Sequence, residues 1–281
     1  MAESAKLLIY DVLQGYPVRQ WVLSLPIPLR LLLARYPKQL SKVMQIVHRA
    51  ISTDIIHRAG HLKKQAKTGA VTYIQRFGSA LNLNIHLHML FLEGVIINKQ
   101  GETTFKRCKA PTHSDLETLV NTISQRIANY LEQAGLIRRD MDNTFLDLPI
   151  DDEDSLLHLQ AASVSYRIAV GPESGKKVFT LQTLPAKDEH NYGQLAQISG
   201  FSLHAGVFAD SHQTEKLERL CRYIARPAIS EQRLSLTNAG KVRYELKIPY
   251  KDGTPVTAQH TYSFPRLILS ANSLHWCRLQ D

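Results

Sequence analysis

The chain has 281 residues, 44% of them apolar, with 34 Lys plus Arg against 25 Asp plus Glu and a formal charge of +9. This composition supports a buried core and excludes a wholly disordered chain, while the length permits one large domain or two small ones at roughly 150 residues each. Cys108, Cys221 and Cys277 are scattered, odd in number and form no Cys-x-x-Cys pair, which excludes a disulfide framework and a zinc finger.

Seven of the acids fall within residues 140–154, a stretch without Lys or Arg; setting those seven aside leaves the rest of the chain at +16. A field of that sign favours a polyanionic partner, because neutralised phosphates release counterions. The opening segment has only a short apolar run, and the next, from Ile27 to Ala34, is interrupted by Pro28 and Arg30. Neither a signal peptide nor a membrane span is expected, so a cytoplasmic location is the default.

In chain order, Arg19 to Leu25 alternates and stops at Pro26, as a first strand would. From Leu29 to Lys67 apolar residues recur at three and four, which predicts helix with breaks near Pro37 and Gly60. Val71 to Phe77 reads as a second strand and Ile85 to Ile97 as a third, apolar enough at its centre to be interior. Ser114 and Glu117 have the spacing of a capping box for an amphipathic helix whose apolar positions run from Leu116 to Leu131. Val164 to Val170 and Val178 to Leu184 are expected to form an inserted β-hairpin. Phe201 to Phe208 alternates as a further strand. Asp210 or Ser211 is expected to cap a helix that Pro227 stops, and Arg233 to Pro249 reads as a last hairpin. The resulting class is α+β: an antiparallel sheet with a βαββαβ core, helices on one face and an inserted hairpin.

His86 and His88 lie one residue apart on a predicted strand, so both imidazoles share a face while Ile85, Leu87 and Met89 take the other. Two neutral imidazoles on one face can hold a divalent metal. A third donor is expected from Gln75 on the neighbouring strand, whose carbonyl oxygen is a hard ligand suited to Mg²⁺ or Mn²⁺, with His204 in FSLHAGV as the competitor.

On the helix from Ser211 to Arg226, Leu217, Leu220, Cys221 and Ile224 make the stripe that must face the sheet. Tyr223 then falls outside that stripe, among Lys216, Arg219 and Arg226. A phenol ringed by cations is what attack on a phosphodiester needs, since the cations hold phosphate oxygens.

The stretches RQWVLSLPIPLR, TYIQRFGSALNLNIHLHMLFLEGV, GFSLHAGV and LERLCRYIARPAIS resemble the HUH (histidine, hydrophobic residue, histidine) endonucleases. The closer resemblance is to the rolling-circle transposases of the insertion sequence 91 and ISCR group, over roughly Val18 to Tyr250. The resemblance implies a metal-dependent enzyme that nicks and rejoins single-stranded DNA at element ends. It matches His86 and His88 to the metal ligands and Tyr223 to a nucleophile that forms a 5′-phosphotyrosine. Lys216, Arg219, Arg222 and Arg226 would hold phosphates. Two-tyrosine members carry another tyrosine where this chain has Arg219, so the single-tyrosine branch is expected.

The implied layout is an extension over 1–17, a catalytic domain over 18–230 with an acidic linker and hairpin over 138–199, a hairpin over 231–260 and an irregular tail over 261–281. Set against such relatives, the chain is expected to lack a Cys-rich zinc region and to end as a shortened copy. Two other readings stay open: a single-stranded DNA-binding remnant without cleavage, and a zinc hydrolase, whose barrel would need eight strand–helix units.

Overall fold

The computed structural model describes residues 13, 15–78, 82–140, 143–147, 155–167, 172, 174–176, 194–225, 233–236, 238, 242–244 and 274–277. The elements are β1 (Val18–Ser24), α1 (Ile27–Arg35), α2 (Pro37–Arg58), β2 (Ala66–Lys67), β3 (Ala70–Phe77), β4 (Leu83–Leu92), β5 (Gly94–Lys99), β6 (Glu102–Arg107) and α3 (His113–Gln133). They continue with β7 (Ile137–Arg139), β8 (Thr144–Leu146), α4 (Ser155–Val164), β9 (Leu195–Ile198), β10 (Phe201–Ala209), α5 (Thr214–Ile224), β11 (Leu234–Leu236), β12 (Val242–Tyr244) and β13 (Leu274–Cys277). The class is α+β with antiparallel sheets.

The main sheet has six strands in the order β13-β3-β4-β1-β10-β9. β2, β5 and β6 make a smaller sheet, and β7–β8 and β11–β12 pair as ribbons. On one face Trp21, Leu23, Ile85, Leu87, Met89, Phe91 and Leu203 pack against the buried stripes of α1, α2 and α3. Among these, Leu32, Val43, Val47, Ile51, Leu116, Ile123 and Ile127 are fully buried, each worth about 1.5–3 kcal/mol relative to exposure.

The opposite face carries its own core, where Val18, Val71, Tyr73, Leu90, Leu92 and Ala209 meet Leu217, Leu220, Cys221 and Ile224 of α5. The helices therefore do not all lie on one face, as the sequence suggested. Among the described helices α5 alone lies on this second face, the face that also carries the histidines.

The single strand expected over Ile85 to Ile97 is two. Glu93 interrupts it because its carboxylate turns to Arg19, which donates from Nε at 2.7 Å and from Nη2 at 2.6 Å in a buried bidentate pair. Arg19 also donates to the Ala205 carbonyl at 2.7 Å, tying β1 to β10 and to this corner. Beyond it β5 leaves for the smaller sheet, and at Gly94 an added Cβ would collide with the backbone of Lys106 and Arg107.

The cap of α3 lies two residues earlier than expected. Thr112 Oγ1 accepts from the Asp115 amide at 3.2 Å, and the Asp115 carboxylate accepts from the Thr112 amide at 2.8 Å. α5 has Gln213 at its N-cap with no side-chain cap, because Asp210 and Ser211 form a turn before it.

Val164 closes α4 rather than opening a strand, and Ser165 and Tyr166 form the turn after it; of the rest of the expected hairpin, residues 168–171, 173 and 177–184 lie outside the described residues. β11 and β12 pair as the last hairpin requires. The tail, where the sequence shows no pattern, supplies β13 on the edge of β3. Among the described residues no helix is long and apolar enough to cross a membrane.

Candidate active site

β4 runs between β3 and β1, and its register puts chemically distinct side chains in rows. Gln75 on β3 lies directly across from His86, which faces Ser24 on β1. In the next row Tyr73 faces His88, Val22 follows on β1, and His204 on β10 lies beyond Val22. Directly opposed Cβ atoms are about 5 Å apart. His204 is two strands from His88, roughly 10 Å at the usual spacing. The register thus brings Gln75 to the histidine pair and leaves His204 at the other side of the cleft, its ring against Gly206 and near Gln194.

A bulge shapes that far side. Gln20 pairs with Val207 and Val22 with His204, so Trp21 alone opposes Ala205 and Gly206. The strict alternation read for β10 breaks there, and Val207 turns to the same side as His204.

The two imidazoles stand 4.8 Å apart, centroid to centroid. His86 Nδ1 donates to the Asn84 carbonyl at 2.7 Å, which leaves its Nε2 lone pair free. Nδ1 of His88 lies 3.1 Å from the carboxamide of Gln20, a buried side chain of β1. The contacting atom is the side-chain amide nitrogen of Gln20, which donates to Nδ1; rotating the carboxamide so that its oxygen faces the ring would make Nδ1 the donor and leave Nε2 free.

Burial lowers the His86 pKa, with the Arg30 charge adding to the effect and the Asn84 hydrogen bond opposing it. Burial, helped by His86, pushes His88 down to about 3. Both rings are therefore neutral at physiological pH, the form that binds a cation. Among the described residues no three His, Cys, Asp or Glu side chains gather as a metal cluster. The donor set that the geometry assembles is two imidazoles and one carboxamide, which fits a divalent cation that keeps open positions for phosphate oxygens and water.

α5 brings the remaining groups. Its buried stripe is Leu217, Leu220, Cys221 and Ile224, as the spacing requires. That seating leaves Tyr223 56% exposed with its ring edge-on to His88, centroids 5.9 Å apart and planes at 83°. Lys216, Arg219 and Tyr223 line one wall of a cleft of about 1030 Å³, whose floor is His86, His88, Gln20 and Gln75. No carboxylate lines this cleft among the described residues, so the two cations meet no competing anion there. Arg222 points elsewhere and pairs with Glu218 one turn back. Arg226 lies outside the described residues.

The cleft also takes in Asn82, Asn84 and Tyr166, which the sequence did not single out. Tyr166 follows α4 in the left-handed region at φ 57°. Its amide meets the Ser163 carbonyl at 3.3 Å, while the Arg167 amide donates to Ala162 at 2.8 Å. This is the Schellman arrangement with a tyrosine where glycine is usual.

A family model described as "Putative transposase" matches residues 69–269, 201 of the 281 residues. The chain belongs to that family and is a transposase by membership. Neither the curated proteins nor the solved structures include a match to it.

Proposed function

We propose that this transposase nicks and rejoins single-stranded DNA at element ends through a covalent bond to Tyr223, in the manner of the HUH single-tyrosine transposases. The observation that carries the proposal is the meeting, in one cleft with no carboxylate among its described lining residues, of a pair of neutral histidines and a phenol whose ring lies 5.9 Å from that of His88.

The Tyr223 oxygen attacks the scissile phosphorus, a P–O bond to tyrosine forms, and the bond to the 3′-oxygen breaks. The phenolic proton passes to water and the departing oxygen takes one up, leaving a 3′-hydroxyl and a 5′-phosphotyrosine. Because one phosphoester replaces another, rejoining needs no ATP. Lys216 and Arg219 hold the phosphate oxygens and steer the strand into the cleft. His86, His88 and Gln75 would hold Mg²⁺ or Mn²⁺, which supplies Lewis-acid polarisation of the phosphate when bound. The carbonyl of Asn84 and the carboxamide of Gln20 orient the two rings.

The fold reading goes with it: β1, α2, β3, β4, α3 and β10 are taken as a βαββαβ core. The order β3-β4-β1-β10 within the sheet supports this.

Incubation of a labelled single-stranded oligonucleotide carrying the element's end with the protein and Mn²⁺ should give a protein–DNA band that survives SDS. Tyr223→Phe should abolish it with DNA binding retained. Binding by the wild type with no adduct would leave the non-cleaving remnant instead.

A further inference from the structure

Along β4 the side chains on the cleft face run from Leu90 and Leu92, covered by α5, through His88 and His86 to Asn84. Tyr223 touches the His88 end of this row. Asn84 lies four residues from His88, roughly 13 Å along the strand. Asn82 continues the same direction, and Tyr166 closes that end of the cleft from the C-terminus of α4. The Leu83 amide donates to Ser163 Oγ at 2.8 Å, which ties the tyrosine-bearing turn to the start of β4. The histidines therefore stand between the phenol and a subsite of two carboxamides and one aromatic ring.

In phosphoryl transfer the attacking and leaving oxygens lie roughly in line through phosphorus. With Tyr223 on one side of the histidine pair, the 3′-oxygen leaves toward Asn84, Asn82 and Tyr166. We infer that this end of the cleft holds the nucleoside immediately 5′ of the scissile phosphate, its unpaired base stacked on Tyr166 and its edge read by Asn82 and Asn84. The inference rests on the tyrosine-nuclease reading of the site.

Three further observations bear on it. A cleft of about 1030 Å³ is far larger than a phosphate and a metal need, and accommodates a nucleoside as well. Asn82 Nδ2 has no hydrogen-bond partner among the described residues, a costly state that an acceptor on a base edge would relieve once the carboxamide rotates into the cleft. Tyr166 keeps a bulky ring at φ 57°, a position where glycine would be unstrained, and stacking on an aromatic ring with edge hydrogen bonds is how splayed single-stranded bases are held.

The test uses a synthetic single-stranded DNA pool of random sequence with the wild-type protein and Mn²⁺. Sequencing the released fragments reads, at their 3′ ends, the base that the subsite held. The adducted fragments read the bases on the other side of the nick. One or two bases should be enriched several-fold at the released 3′ end. Asn82→Ala, and separately Tyr166→Gly, which suits the left-handed turn and so preserves it, should each reduce that enrichment at least threefold while the preferences 3′ of the nick persist.

No enrichment at the released end, or enrichment that both variants retain, would overturn the subsite and leave cleavage by Tyr223 intact. A wild-type protein that forms no adduct with any member of the pool would remove the nuclease reading and the subsite with it.

Discussion

His88 is a buried ring kept neutral at a position where water would let it titrate. Its unfolded form takes up a proton near the usual 6.5, and its folded form only at about 3. Between these values the unfolded state binds the extra proton, so acid favours unfolding by up to about 1.4 kcal/mol per pH unit. Urea midpoints of the metal-free protein should fall between pH 7 and pH 5, and His88→Gln should flatten that dependence. Equal slopes for the two proteins would refute it.

Much of this scale was legible in the sequence. The His-x-His pair announces its own shared face by the period of two, and Tyr223 separates from its helix's apolar stripe by angle alone. Gln20 was within reach of the same argument, as a polar residue on the cleft-facing positions of β1. Tyr166 had no signal at all, because its place depends on how α4 ends and where that end lands.

At the level of elements, the corner between β4 and β5 is made by close packing. A Cβ at Gly94 would meet the carbonyl of Lys106 and come within 2.9 Å of the Arg107 Cα, and backbone cannot step aside as a flexible side chain would. Gly94→Ala should cost about 1–3 kcal/mol, read as a lower denaturant midpoint with an unchanged m-value. A midpoint within error of the wild type would show that β6 can shift.

The apolar run from Ile85 to Ile97 hid this corner, because apolarity is continuous across it while Glu93 is buried by a partner 74 residues away. The same holds for the bulge in β10. Alternation reads correctly from Phe201 to Ala205, and the extra residue lies in β10 where Ala205 and Gly206 together oppose Trp21, a pairing that shows only once the two strands are in register. The cap of α3 was misplaced by two residues because Thr112 and Asp115 offer the same chemistry as Ser114 and Glu117, and only the backbone chooses between them.

For the whole molecule, the charge of +9 has a local expression in a cleft with two cations and no carboxylate among its described lining residues. Arg219 faces the cleft, whereas Arg222 is neutralised by Glu218. Arg219→Ala should weaken single-stranded DNA binding and reduce the slope of log K against log salt by about 0.7, one phosphate contact. Arg222→Ala should leave the slope nearly unchanged. Equal effects of the two would place the strand elsewhere.

Which face α5 would cover was not legible, because an amphipathic stripe says that a helix packs but not on which side of a sheet. That choice sets the cleft: the helix shares the histidine face, covers its far half with Leu217, Leu220 and Cys221, and stops where the imidazoles begin.

The central claim is that Tyr223 itself carries the DNA. Digestion of the SDS-resistant adduct with trypsin and nuclease, followed by mass spectrometry, measures this directly. The account predicts a nucleotide phosphate on the peptide that contains Tyr223. A phosphate on any other residue, Tyr166 included, or an adduct still formed by Tyr223→Phe, would contradict it.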